Sequence, residues 1–324
     1  TTVAQSPVVQ FQKTVANITT AANPAATATP GDLLRYTIVA NNVSVVPLPT
    51  FSITDELDAL NASPWFEPGS LNIVTVPATA DISNTDANGG ANGTGYLDVR
   101  NLTLAADDGL PAGPDTVLIE FEVRLAAVIP NGTIVLNQAQ LDSLLTGTQD
   151  SNDPNTNPGE DPAIPGDEVA TPITITSAPV LDVRKTSADI TGDPTSLAAG
   201  DTLRYTITVK NIAGEDAINA TLQDSIPLNT TYVANSTTLN GATVADPLPG
   251  VSALVAGMLI NAPEDTTPGY LRSDPDTLAN NTATITFDVV VTPTAVAGLV
   301  ISNQGFVDAD GANGGIMPQE PTDD

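Results

Sequence analysis

Apolar and polar residues alternate with a period of two through most of the chain. Residues 31–42, GDLLRYTIVANN, put Leu34, Tyr36, Ile38 and Ala40 on one face and Arg35, Thr37 and Val39 on the other. Residues 200–211, GDTLRYTITVKN, repeat this stretch at eight of twelve positions, with Leu203, Tyr205, Ile207 and Val209 opposite Arg204, Thr206, Thr208 and Lys210. Such alternation predicts a half-buried antiparallel strand. The repeat extends further. Val9-Gln-Phe-Gln-Lys13 matches Leu181-Asp-Val-Arg-Lys185, and residues 51–57 match 220–226. Residues 115–123 match 281–289, and 135–139 match 301–305.

The expected fold is therefore all-β, two tandem Ig-like β-sandwich domains spanning 1–177 and 178–324. The 27 Pro and 24 Gly punctuate short strands and leave little that reads as helix. Strands over 171–176 and 180–185 nearly abut, so hardly any linker is expected at the boundary near Ser177, and the two domains should sit end to end as a stiff rod.

Charge narrows the function. The chain carries 9 Lys+Arg against 38 Asp+Glu, a net charge of −29, with no His and no Cys. That balance argues against nucleic acid and anionic membrane as partners. It also removes the usual zinc ligands, the commonest general base and the thiol nucleophile. Hard cations such as calcium, which need only oxygen ligands, stay open. No apolar run approaches the roughly 20 residues of a membrane span. The start, TTVAQSP, reads as the product of signal-peptide cleavage, which places the protein outside the cell or on its surface. Without Cys, any covalent staple there must be something other than a disulfide.

Lys-Thr, then Gly-Asp-x-Leu-x-Tyr-Thr-Ile-x-x-x-Asn, then an Asp before Leu or Ile, then Asn-Gln and an Asp/Pro/Asn/Gly-rich tail resembles the conserved repeat of prokaryotic surface proteins called domain of unknown function 11. The resemblance covers both halves. It implies Ig-like modules of extracellular proteins, often in tandem, and it implies no ligand.

One set of polar residues stands on the apolar faces of both copies. Lys13 shares a face with Val9, Phe11 and Val15, Asp55 with Phe51, Ile53 and Leu57, and Asn137 with Val135, Ala139 and Leu141. Lys185, Asp224 and Asn303 repeat the arrangement, and the third of the three lysines, Lys210, lies on a polar face. Burial lowers a lysine pKa and raises a carboxyl pKa, which yields a neutral amine beside a neutral acid. The amine could attack the Asn carboxamide, polarised by the acid, and expel ammonia. This order of residues resembles the isopeptide pattern of Gram-positive pilin and collagen-adhesin domains. A Lys–Asn bond would close a loop of roughly 120 residues, worth about 4–5 kcal/mol on the disulfide scale. The other reading is a buried Lys–Asp ion pair with Asn as hydrogen-bond partner. A one-residue slip of register would turn these side chains outward instead.

Oxygen-rich loops are the second candidate. Asp150, Asp153 and Asn155 follow the first unit, Asp308, Asp310 and Asn313 follow the same strand in the second, and residues 81–90 form a third. Alternate Asp and Asn with Gly suit calcium, and solvated Asx turns suit the same residues. Asn-x-Ser/Thr at Asn17, Asn42, Asn61, Asn92, Asn101, Asn131, Asn219, Asn229, Asn235 and Asn280 would permit N-linked glycans. Trp65 reads as a loop plug, and Asp107-Asp108 and Asp323-Asp324 as solvated pairs.

Residues 167–176 end the first unit with a strand, whereas the second unit reaches Glu320-Pro-Thr-Asp-Asp without one; residues 1–6 stand before Lys13 as 173–178 stand before Lys185. The expectation is a non-enzymatic structural subunit of a surface filament, stalk or layer, joined head to tail with copies of itself by donation of residues 1–6. The alternative is an adhesin or glycan-binding module using the 58–110 loop region and calcium. A hydrolase would need paired acids in a cleft.

Overall fold

The computed structural model describes residues 5–110, 113–193, 195–275 and 281–323. The chain divides into two compact units, residues 1–127 with 132–176, and residues 128–131 with 177–324. Both are built of strands, and among the described residues the one helical element is a 3-10 turn, Ala253–Val255. No helix is long and apolar enough to cross a membrane.

The first unit comprises β1 (Val9–Asn17), β2 (Thr27–Ala28), β3 (Leu33–Asn42), β4 (Leu48–Glu56), β5 (Asn72–Thr75), β6 (Tyr96–Leu104), β7 (Thr116–Arg124), β8 (Ile134–Asn137), β9 (Ala139–Ser143), β10 (Gly147–Asp150) and β11 (Thr171–Ile175). One sheet runs β1-β3-β7-β5, a second β10-β9-β4-β6, and a small third β2-β11-β8. Gln138 separates β8 from β9, so one nearly continuous run changes sheets there. The second unit comprises β12 (Val180–Asp189), β13 (Thr202–Ala213), β14 (Ala217–Asp224), β15 (Thr230–Tyr232), β16 (Thr238–Leu239), β17 (Ala242–Thr243), β18 (Met258–Leu259), β19 (Ala283–Val291), β20 (Gly305–Gly311) and β21 (Glu320–Pro321). Its sheets run β12-β13-β19-β16-β17, with β15 also on β19, and β18-β14-β20-β21.

The repeated central strand behaves as its alternation requires. Leu34, Tyr36, Ile38 and Ala40 of β3 are fully buried, as are Ile207 and Val209 of β13. Each large apolar side chain so buried contributes about 1.5–3 kcal/mol. On the outer face Arg35 stands across from Glu122 of β7 and donates to its carboxylate. The Gly-Asp at the start of the motif is a turn: Gly31 has φ +81°, and Asp32 accepts from Thr29 N at 2.8 Å. The Asn that ends the motif also has a cause. Asn42 Nδ2 donates to Val46 O and Ala105 O, and Asn211 Nδ2 to Glu215 O and Leu271 O, so each satisfies loop carbonyls at a buried strand end.

Two expectations change. The 58–110 stretch is not one loop region, because β5 and β6 lie within it and β6 forms the edge beside β4. The end of the second unit is not bare either: Glu320–Pro321 pairs with β20 as β21.

Candidate functional site

Lys13 is buried because β1 alternates in strict register with β3, which fixes Lys13 opposite Ile38 and Val15 opposite Tyr36. From there its side chain crosses to the other sheet, where Nζ donates to Asp55 Oδ2 of β4; both side chains are 0% exposed. Lys185 of β12 makes the same crossing, with Nζ 2.5 Å from Asp224 Oδ2 of β14. Under each ammonium lies a stacked aromatic pair from adjacent strands. Tyr36 and Phe121 are 5.4 Å apart, Tyr205 and Phe287 5.1 Å. Nζ of Lys13 is 4.5 Å from the Tyr36 centroid, and Nζ of Lys185 is 4.8 Å from that of Tyr205. The ring faces are negative and so favour a cation held out of water. Alternation alone does not single out these rings; their signal in the sequence is the Tyr of each central strand with the matched Phe121 and Phe287.

Burial pulls Lys13 down to about 8, against the attraction of Asp55. It pushes Asp55 up from the usual carboxylate range, against Lys13 and the nearby Asn137 amide. Lys185 is likewise lowered and Asp224 raised, each chiefly by burial. Both pairs are thereby biased toward neutral amine and neutral acid.

The asparagine completes each cluster. Asn137, 1% exposed at the end of β8, lies close enough to favour the charged form of Asp55, yet without hydrogen-bond geometry: neither its nitrogen nor its oxygen has a partner. Asn303 acts on Asp224 in the same way, and its Nδ2 also lacks a partner. Asp55 Oδ1 and Asp224 Oδ1 share that condition. A buried, unbonded amide costs about 1–3 kcal/mol, so the same unmet atoms in both clusters require a reason. Chemically, each site holds an amine, an acid and a carboxamide, fully buried in the first unit and bordering an open cavity in the second.

The oxygen-rich loops are occupied with their own bonds. Asp153 Oδ1 accepts from the backbone and side-chain nitrogens of Asn155, and Asp150 from Gln140. Asp150 closes β10, whereas Asp308 and Asp310 lie within β20, accepting from Gln319 and Asn219. Asn313 and Gly315 donate their backbone N–H groups to buried Glu215, so this glycine-rich loop wraps a carboxylate of the protein itself. Asp81 and Asp86 accept from Ser83 N and Asn88 N in Asx turns. Carboxylates do gather elsewhere: oxygens of Asp107, Asp108 and Asp115 lie within 4.8 Å of one another, as do those of Glu160, Asp167 and Glu168. Of the glycan acceptors, Asn17 and Asn42 are buried with Nδ2 bonded, and Asn280 lies outside the described residues. Asp324 also lies outside them, and Asp323 is exposed while its backbone bridges in parallel to Arg184.

No family model matches the chain, so the resemblance to domain of unknown function 11 rests on its motifs, and no curated protein matches it. Among solved structures the chain is similar to a C-terminal fragment of the major pilin GBS80 of Streptococcus agalactiae, at 10% identity over 97% of this chain and 90% of that one, with TM-score 0.31. It is similar to the Actinomyces fimbrial adhesin FimA at 13% identity over 97% and 95%, TM-score 0.28. The collagen adhesin of S. aureus is similar at 9% identity over 98% and 91%, TM-score 0.25. These neighbours are bacterial pilins and adhesins, and at such identities and scores none of them specifies a role for this chain.

Proposed function

We propose that this chain is a non-enzymatic structural subunit of an extracellular surface filament or stalk, with each unit clamped internally by a Lys–Asn isopeptide bond. The observation that carries the reading is the duplicated cluster of Lys13, Asp55 and Asn137 and of Lys185, Asp224 and Asn303. In each, a lysine of one sheet meets an acid of the facing sheet beside an amide whose nitrogen has no partner. Neutral Nζ attacks Asn Cγ, the protonated acid hydrogen-bonds the carboxamide oxygen, and the C–N bond to the amide nitrogen breaks. The products are one secondary amide and one ammonia, with no oxidant or cofactor. A bond between the first strand and a late one holds the sandwich when the chain is pulled, a use suited to a filament and to a protein without cysteine. A catalytic use on a substrate is less favoured, since the amine and acid are 0% exposed in the first cluster and 5% and 0% exposed in the second.

The adhesin reading is less favoured because five of the six Phe, Phe11, Phe51, Phe66, Phe121 and Phe287, are buried in the cores, with Phe306 exposed and Trp65 half-buried. The test is the intact mass of the denatured protein with peptide mapping. Two bonds are expected to give a deficit of about 34 Da, two ammonias, mapped to Lys13–Asn137 and Lys185–Asn303. A mass equal to the sequence would leave buried ion pairs and remove the clamp.

A further inference from the structure

The connection from β6 to β7 is tied to the end of β3. Ala105 N donates to Pro114 O at 2.8 Å, Asp107 N to Ser44 O at 2.9 Å, and Asn42 N to Asp115 O at 2.9 Å. Asn42 Nδ2 donates to Ala105 O, so the Asn that closes the repeated motif holds both sides of this connection. From the sequence, Asp107-Asp108 reads as a solvated pair, and both are exposed. The fold adds a third acid to them. Asp115, just before β7, is 1% exposed, and one carboxylate oxygen from each of the three lies within 4.8 Å of the others.

The buried acid is unsatisfied. Asp115 Oδ1 has no hydrogen-bond partner, and a carboxylate oxygen removed from water needs a donor or a cation. No lysine or arginine is ion-paired with any of the three acids among the described residues. Asp115 Oδ1 and Asp108 Oδ2 face one point, 3.0 and 3.6 Å from the position a Cβ on Gly113 would take. Gly113 is not among the glycines with positive φ, so its missing side chain supplies room rather than a backbone turn. The second unit treats the matched position differently. Residues 281–289 repeat 115–123, which sets Asn281 where Asp115 stands. Asn281 is buried too, and its Nδ2 donates to Asp274. There a neutral amide meets an acid. In the first unit a buried acid meets two more, and like charges that close repel unless a cation lies among them.

We propose that Asp107, Asp108 and Asp115 hold one calcium ion in the space beside Gly113. Calcium lies about 2.3–2.6 Å from its oxygen ligands, so two ligands of one ion are at most about 4.6–5.2 Å apart, a spacing the three carboxylates already meet. Its flexible coordination suits ligands on a connection between strands, and the exposed side of Asp107 and Asp108 lets water complete the shell. The bound ion fastens the β6–β7 connection to the end of β3 through the same bonds that place the acids.

The test is calorimetric titration of calcium chloride into the full chain. Sodium chloride at about 0.15 M screens diffuse attraction to a protein of net charge −29. One site is expected in the range of about 10⁻⁴–10⁻³ M, with a rise in melting temperature when calcium is added. Asp115→Asn and Asp108→Asn should each weaken binding at least tenfold, and the exposure of Asp108 keeps that variant folded. Gly113→Ala changes no charge, yet its Cβ stands 3.0 Å from Asp115 Oδ1 and should weaken binding as well. Asp167→Asn, in the other gathering of acids, should leave binding unchanged. No heat at about 10 mM calcium, or unchanged binding in both Asp115→Asn and Asp108→Asn, would overturn the assignment. Loss of binding in Asp167→Asn would overturn it too, by placing the ion elsewhere. The mass of the denatured protein, which tests the clamp, is indifferent to all of these results.

Discussion

The ammonium of Lys13 lies 4.5 Å from the centroid of the Tyr36 ring, two residues along the neighbouring strand from its own register partner Ile38. The buried Tyr36 hydroxyl has no hydrogen-bond partner. Ring and hydroxyl therefore work against each other: the ring face favours the cation, and the orphaned hydroxyl costs stability. Tyr36→Phe keeps the ring and removes the orphan. It is expected to leave stability unchanged or raise it by about 1 kcal/mol in denaturant melts, whereas Tyr36→Leu loses the ring and should destabilise.

Asp55 matters to both readings of the cluster. Asp55→Ala leaves Lys13 buried without its partner, which costs about 3–5 kcal/mol, and it removes the acid that would assist bond formation. The expected outcome is a mass deficit of one ammonia rather than two, with a lowered denaturant midpoint for the first unit. Asp224→Ala should do the same in the second unit.

Asn137→Ala prevents the bond, so Lys13 stays free to titrate. Its folded value of about 8 lies below the ordinary 10.5, and between those values the unfolded chain binds more protons. Stability of the variant therefore rises as pH increases from about 8 toward 10.5, by roughly 3 kcal/mol if the whole shift is realised. Below pH 8 the full penalty stands. Asp55 acts in the opposite sense at low pH: its folded pKa is raised, so stability falls as pH climbs from the ordinary 3.8 toward the folded value. Denaturant midpoints across these windows check both signs, and a linked Lys13 should show no alkaline rise.

Gly315 stands against Glu215 where a Cβ would come within 2.1 Å of Oε1. That oxygen also accepts from Gly315 N at 2.8 Å. Gly315→Ala should force the loop off the carboxylate and cost about 1–3 kcal/mol in the second unit, visible as a lowered melting temperature.

Some elements were legible from the chain alone. The faces of β1, β3, β4 and β13 followed from alternation, because a period-two pattern leaves a strand only one way to bury its apolar side. The inward positions of Lys13, Asp55 and Asn137 followed from the same rule. Other elements were not. β5 is only four residues long, and β6, though nine residues long, breaks its alternation at register shifts against β4, so neither carries a clean period of two. Residues 308–315 resemble 150–157 in composition and in following the same strand of the repeat, yet 308–311 lies within β20 itself. Spelling could not reveal that N–H groups of this stretch serve Glu215.

By itself, the sequence determined the class of fold, the duplication and which side chains turn inward, since these depend on local periodicity and on similarity between stretches. Only the tertiary structure decided that Lys13 meets Asp55 across the sheets, that aromatic pairs lie beneath both ammonium groups, and that the amide of Asn137 has no partner. It also decided that Asp323 bridges to β12 as Asn152 bridges to β1. These are relations between residues far apart in the chain. They are set by sheet order and register, which no single stretch encodes.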